Sequence, residues 1–154
     1  MNSCDYYIIN SYENQVGYIS KNNTLGDKDF KVCLEEHLFP FYYGRKPASF
    51  TFGKDSIRRY FDEQYSNQGV INESGYLTIR FIVNCNGEAG RYEILQIGKD
   101  YKKKIFNEAL VNHLFELTAK LKDWKPIELR DTKFDSFIHL TFKIENGELL
   151  EILP

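Results

Sequence analysis

The chain has 154 residues, of which 42% are hydrophobic and 27% charged, with 20 basic and 22 acidic side chains, net charge -2 and pI near 5.9. That is one domain of ordinary size, apolar enough to offset the entropy of ordering, and it lacks the broad positive field that phosphate binding needs, so nucleic acid is not an expected partner. The longest stretch free of Asp, Glu, Lys and Arg runs from Gln64 to Asn72, far short of the ~18 apolar residues of a spanning helix, so no transmembrane span is expected in the visible chain.

Near the start, Cys4 follows no basic segment or apolar core. A Cys so placed is what remains when a lipoprotein signal is replaced by a starting Met, and it is also what an incidental exposed thiol looks like. Cys33 and Cys85 complete an odd set of three, in which one bridge, Cys33 to Cys85, can form with Cys4 left over. Tyr6 to Ser20 has strand-like composition without clean alternation. Phe30, Cys33, Leu34, His37 and Leu38 at helical spacing behind Asp29 predict a short helix near 29–38, ended by Pro40. Phe39, Phe41, Tyr42 and Tyr43 follow as an aromatic cluster; left exposed, it would be a partner surface.

Ile57, Tyr60, Phe61 and Tyr65 behind Asp55 predict an amphipathic helix over 55–66. Leu77, Ile79, Phe81 and Val83 alternate with Tyr76, Thr78, Arg80 and Asn84, which predicts a core strand. Asn86-Gly87 turns it into a second strand, Gly90 to Ile97, whose apolar phase slips as at a bulge or under burial on both sides. Phe106, Leu110, Leu114, Leu117 and Leu121 then mark a helix with Asp100 as its cap, stopped by Pro126, and the run Lys102 to Lys104 reads as its solvated start. The last strand has Phe134, Ile138, Leu140, Phe142 and Ile144 on one face; Asn146-Gly147 then folds Glu148 to Leu153 back along it. The fold class is α+β: a small antiparallel sheet packed by two helices (helix, hairpin, helix, strand plus C-terminal hairpin strand), with residues 1–46 as an N-terminal extension and 47–154 as the domain proper.

Pro47-Ala48-Ser49-Phe50 before Gly53 and Ile57 to Phe61, the run Gly75 to Val83 before Asn86-Gly87, the helix with Phe106, Ala109 and Leu110, and Trp124-Lys125-Pro126 occur in the order and spacing of one family. Over residues 47–146 the chain resembles the C-terminal domain of TonB, in the form common among periplasmic and outer-membrane-associated proteins of Bacteroidetes. The resemblance implies a module that binds a segment of another protein, such as an outer-membrane transporter or envelope complex, by adding it to an open sheet edge. The corresponding edge is Phe134 to Glu145, with Phe134, Ser136, Ile138, Leu140, Phe142 and Ile144 as its partner-binding residues, and Glu148 to Leu153 are expected to shield it. The expected setting is the periplasm or an outer-membrane lipoprotein held through Cys4, or the cytoplasm if Met1 is the true start.

Chemistry is weakly indicated. Cys33 and His37 lie four apart, which could pair a thiolate with a base or supply two metal ligands, but a packed Cys and His on an apolar stripe fit the spacing better. His113 and His139 have no cluster of ligands around them. No phosphate loop, nucleophile elbow or zinc-protease motif occurs. The reading is a non-catalytic protein-binding module with no metal and no cofactor; the alternatives are an enzyme using Cys33 and His37, or a homodimer that exchanges C-terminal strands.

Overall fold

A computed structural model describes residues 18–20, 22, 25–40, 42 and 46–153. Its elements are β1 (Leu38–Pro40), β2 (Ser49–Phe50), α1 (Lys54–Gln64), β3 (Gly75–Val83), β4 (Ala89–Ile97), α2 (Glu108–Ala119), β5 (Trp124–Lys125), β6 (Ile127–Leu129), β7 (Thr132–Glu145) and β8 (Glu148–Leu153). The fold is α+β, and its main sheet runs β1-β7-β3-β4 with β6 and β8 also on β7. The sheet is mixed, because β1 joins β7 in parallel.

Alternation sorts β3 and β7 into two faces. Leu77, Ile79, Phe81, Val83, Ile138, Leu140, Phe142 and Ile144 point to the helix layer, where Ile57 and Phe61 of α1 and Leu110, Leu114 and Leu117 of α2 bury them. On the reverse face Ile82 and Phe137 pack with Ile19, Phe30, Val32 and Leu38. The N-terminal extension is therefore knit into the sheet, with Leu25 also bridging Tyr92.

The helix expected near 29–38 does not form. Long-range bonds draw that backbone apart: Cys33 is bonded to Cys85, the Leu34 N–H is donated to Asp135 at 2.7 Å, and Glu35 takes both guanidinium nitrogens of Arg91. Two short turns, Asp27 to Phe30 and Leu34 to His37, and then β1 stand in its place. α1 matches expectation, with Asp55 in its first turn and an Arg58–Asp62 pair one turn apart.

α2 starts later than its Leu-rich stripe suggested. Asn107, not Asp100, is the cap, its side-chain oxygen accepting the Ala109 N–H at 3.0 Å. Asp100 instead closes a turn by accepting the Lys102 N–H at 3.2 Å, and Lys103 bridges Ile97 as an outrigger of β4. Ile105, expected from the sequence to join that stripe, is instead 80% exposed.

The two Asn-Gly pairs behave differently. Asn146 and Gly147 both have positive φ, 50° and 80°, as a two-residue type I′ turn requires. At the first pair only Gly87 is positive, because the buried Asn84 reorganises the turn, its side-chain oxygen accepting the N–H groups of Asn86 and Glu88 at 3.0 Å each. The phase slip in β4 is a bulge at Arg91, φ 53°, where register passes from Arg80↔Glu93 to Ile82↔Gly90.

Two tyrosines, the buried Tyr92 and the half-buried Tyr65, couple this packing to pH. Burial pushes the Tyr92 phenol up to about 12, and burial assisted by the charge of Glu148 does the same for Tyr65, whose hydroxyl donates to the Gly147 carbonyl at 2.6 Å. The folded values lie above the ordinary value of about 10, so the stability these groups contribute is complete below pH ~10 and is lost as pH rises toward ~12. Titration followed at 295 nm should show them ionising near 12 together with loss of the far-ultraviolet signal. Ionisation of every tyrosine near 10 with the fold intact would refute this.

Candidate functional site

β7 is the spine of the sheet. β3 lies along it from Ser136 to Ile144, on its other flank β1 takes Asp135 to Phe137 and β8 takes Thr141 to Glu145, and β6 pairs with its start, Thr132 to Phe134. Among the described residues no strand pairs with this flank between Phe137 and Thr141, and an apolar cleft of about 160 Å³ opens there. Ile138 and Leu140 of β7, Ile57 of α1, Ala48, Trp124 and Ile152 form its walls. His139 also borders it; alternation turns its side chain to the opposite face, so it meets the cleft through its main chain.

The N-terminal wall is built by the Pro-Ala-Ser-Phe run. Ser49 and Phe50 pair with Lys125 and Trp124, and the Thr51 N–H is donated to the Asp123 carbonyl at 2.7 Å. Trp124 is fixed by its indole N–H on the Leu121 carbonyl at 3.0 Å and by edge-on contacts with Phe50 at 5.2 Å and Phe81 at 5.1 Å. Phe52 stands edge-on to Phe50 at 5.8 Å with 63% of its surface exposed, a lip of the same aromatic stack. At the mouth lie Lys54 and Arg58, the latter tied to Asp62 and donating to the Leu150 carbonyl of β8 at 2.9 Å. Ser49 also lines a second hollow of about 470 Å³, bordered by Lys46, Lys125, Glu128 and Lys133. There Lys46 pairs with Glu128 at 2.7 Å, which holds its ammonium above the ordinary lysine value.

Compared with protein-family models, curated proteins and solved structures, the chain matches none. Among the described residues no helix is long and apolar enough to cross a membrane.

The residues singled out from sequence distribute unevenly over this geometry. Phe134, Ser136, Ile138, Leu140, Phe142 and Ile144 do not form an open edge: they lie on an interior strand, and Ser136 and Phe142 have no exposed surface. A guest strand therefore has no continuous border along Phe134 to Glu145. Two of the six, Ile138 and Leu140, do meet the cleft. β8 folds back as expected but shields only the half of β7 from Thr141 onward, while β1, from the extension, covers the other end. In the aromatic cluster, Phe39 is half-buried edge-on to Phe134 at 5.3 Å and is not an exposed anchor, whereas Tyr42 is 68% exposed. Phe41, Tyr43 and Cys4 lie outside the described residues.

Cys33 and Cys85 form a disulfide with 6.0 Å between their Cα atoms. This removes the arrangement imagined for Cys33 and His37, since the sulfur is bonded to Cys85 and the shared helix is absent. The carboxylate of Asp135 lies within 4.8 Å of both sulfurs, and it is 1% exposed. Its two oxygens accept the N–H groups of Leu34 at 2.7 Å and Cys85 at 2.9 Å, so it anchors both arms of the bridge to β7. Sequence reasoning missed Asp135 and Asn84; an Asp and an Asn bordering apolar strand runs were the available signal, one shared by many surface positions.

Proposed function

We propose that the chain is a non-catalytic protein-binding module of the cell envelope that holds an extended segment of a partner protein in the cleft between β1 and β8. The observation that carries the reading is an apolar recess of about 160 Å³ at an interruption of the sheet border. A cavity of about 150 Å³ walled by apolar side chains accommodates a benzene ring in another protein, so this one is of a size to take one apolar side chain of a bound segment. Such anchors carry most of the energy of small interfaces, and main-chain pairing with a strand border adds affinity with little demand on sequence. The Cys33–Cys85 bridge supports an oxidising compartment, and the resemblance to the C-terminal domain of TonB supports an envelope partner, first of all an outer-membrane transporter.

Placing a photoreactive benzoylphenylalanine at Phe52 tests this in cells. A cross-link to another envelope protein is expected from Phe52 and not from Tyr101, which is equally open to solvent at 74% exposure. Ala48→Leu, and separately Leu153→Trp, should abolish the adduct by filling the recess while leaving the circular dichroism unchanged. Adducts that are indifferent to both substitutions would reject the cleft as the docking site.

A further inference from the structure

We propose that the segment received by the cleft is acidic: one apolar side chain enters the recess while neighbouring carboxylates meet the lysines around β2 and the start of α1. This rests on the docking role of the cleft and names the chemistry of its occupant. Acidic residues outnumber basic ones in the chain, 22 to 20, so a surface that gathers cations is a local reversal of the overall charge. Lys54 and Arg58 border the recess, and Lys46, Lys125 and Lys133 border the adjoining hollow, with Ser49 common to both. Of the residues that line the two hollows only Glu128 is acidic, and it is bonded to Lys46; beside them Asp62 is bonded to Arg58, and Asp55, Asp123 and Asp131 are exposed acids that line neither. Lys54, Lys125 and Lys133 are exposed and in no ion pair among the described residues.

The spacing suits an extended guest. Side chains two apart on a strand share a face and are separated by roughly 7 Å, so an anchor in the recess brings acids at its second neighbours over the surrounding surface. Exposed charge pairs of this kind add little affinity each, but together they steer association and select against basic or neutral segments, an effect that salt weakens.

The experiment is selection of a random dodecapeptide display library on the immobilised full chain, with sedimentation of the chain alone across concentrations. Recovered peptides should carry an aromatic or long aliphatic residue with Asp or Glu within three positions. Changing those acids to Asn and Gln should weaken binding roughly tenfold at low salt and much less at high salt. The variant with Lys125→Gln, Lys133→Gln and Lys54→Gln should lose the same factor with its circular dichroism unchanged. Recovered peptides with an apolar anchor but no excess of acids would overturn the acidic assignment while leaving the docking role in place. Failure to recover any peptide would overturn both, as would self-association that Ala48→Leu abolishes, since a second copy of the chain would then be the occupant.

Discussion

Replacing the bridged cysteines together, Cys33→Ser with Cys85→Ser, is expected to lower the unfolding free energy by about 4 kcal/mol, the loop-entropy value for a cross-link spanning 52 residues. The constraint acts mainly on the unfolded chain, where it ties the extension to the first hairpin before either has found its place. In the folded protein the same segments are held by other bonds as well: Asp135 grips both arms, Arg91 takes Glu35 in a bidentate pair, and the Asn84 amide donates to the Lys31 carbonyl at 2.9 Å. The serine variant should therefore fold to the same structure with a lower denaturant midpoint, and wild-type protein in excess dithiol should move to the same midpoint. A change below about 1 kcal/mol in both would show that the extension is pinned in the unfolded ensemble by something other than the bridge.

Asp135→Ala is expected to cost about 2 to 6 kcal/mol. The substitution leaves the Leu34 and Cys85 N–H groups without their acceptors in a site where the carboxylate is 1% exposed, and each orphaned buried donor costs roughly 1 to 3 kcal/mol. Asp135→Asn should cost less, since the amide keeps one of the two acceptor oxygens. The two perturbations should also be strongly non-additive. Once the bridge is gone the arms can turn their N–H groups toward water, so Asp135→Ala should be markedly milder in the double-serine background. Urea unfolding of the four proteins of that cycle measures the coupling; equal costs in both backgrounds, or an Asn variant as damaged as the Ala variant, would remove Asp135 from the role assigned to it.

The sequence made the short-range architecture legible and left the long-range wiring hidden. Period-two runs placed β3 and β7, a helical stripe placed α1, and Asn146-Gly147 fixed the last hairpin, because each of these depends on residues within one turn or one strand. Where two side chains compete for the same local role, the pattern misled. Asp100 and Asn107 are both competent caps, and contacts with Gln96, whose main-chain and side-chain oxygens accept the N–H groups of Lys104 and Phe106, chose the second. Asn84 similarly overrode the usual geometry of the Asn86-Gly87 pair. The candidate site was the hardest to foresee. The apolar residues at 138 and 140 were visible as strand residues, but which strands flank them was not, because β1 comes from the far end of the chain and reads as helix by periodicity. Among the described residues the cleft lies between the pairings of β1 and β8, and the side chains that wall it come from stretches of the chain too far apart for any local motif to join them.

The position of β7 bears on how the molecule comes into being. Almost every strand of the main sheet pairs with β7, and its parallel neighbour β1 reaches it from far earlier in the chain, Leu38 against Asp135. Such remote pairings are entropically slow to close, and domains wired this way stay open until the late segment arrives. Until Glu145 has been translated the strands made before it lack the one they pair with, so the sheet closes late in synthesis.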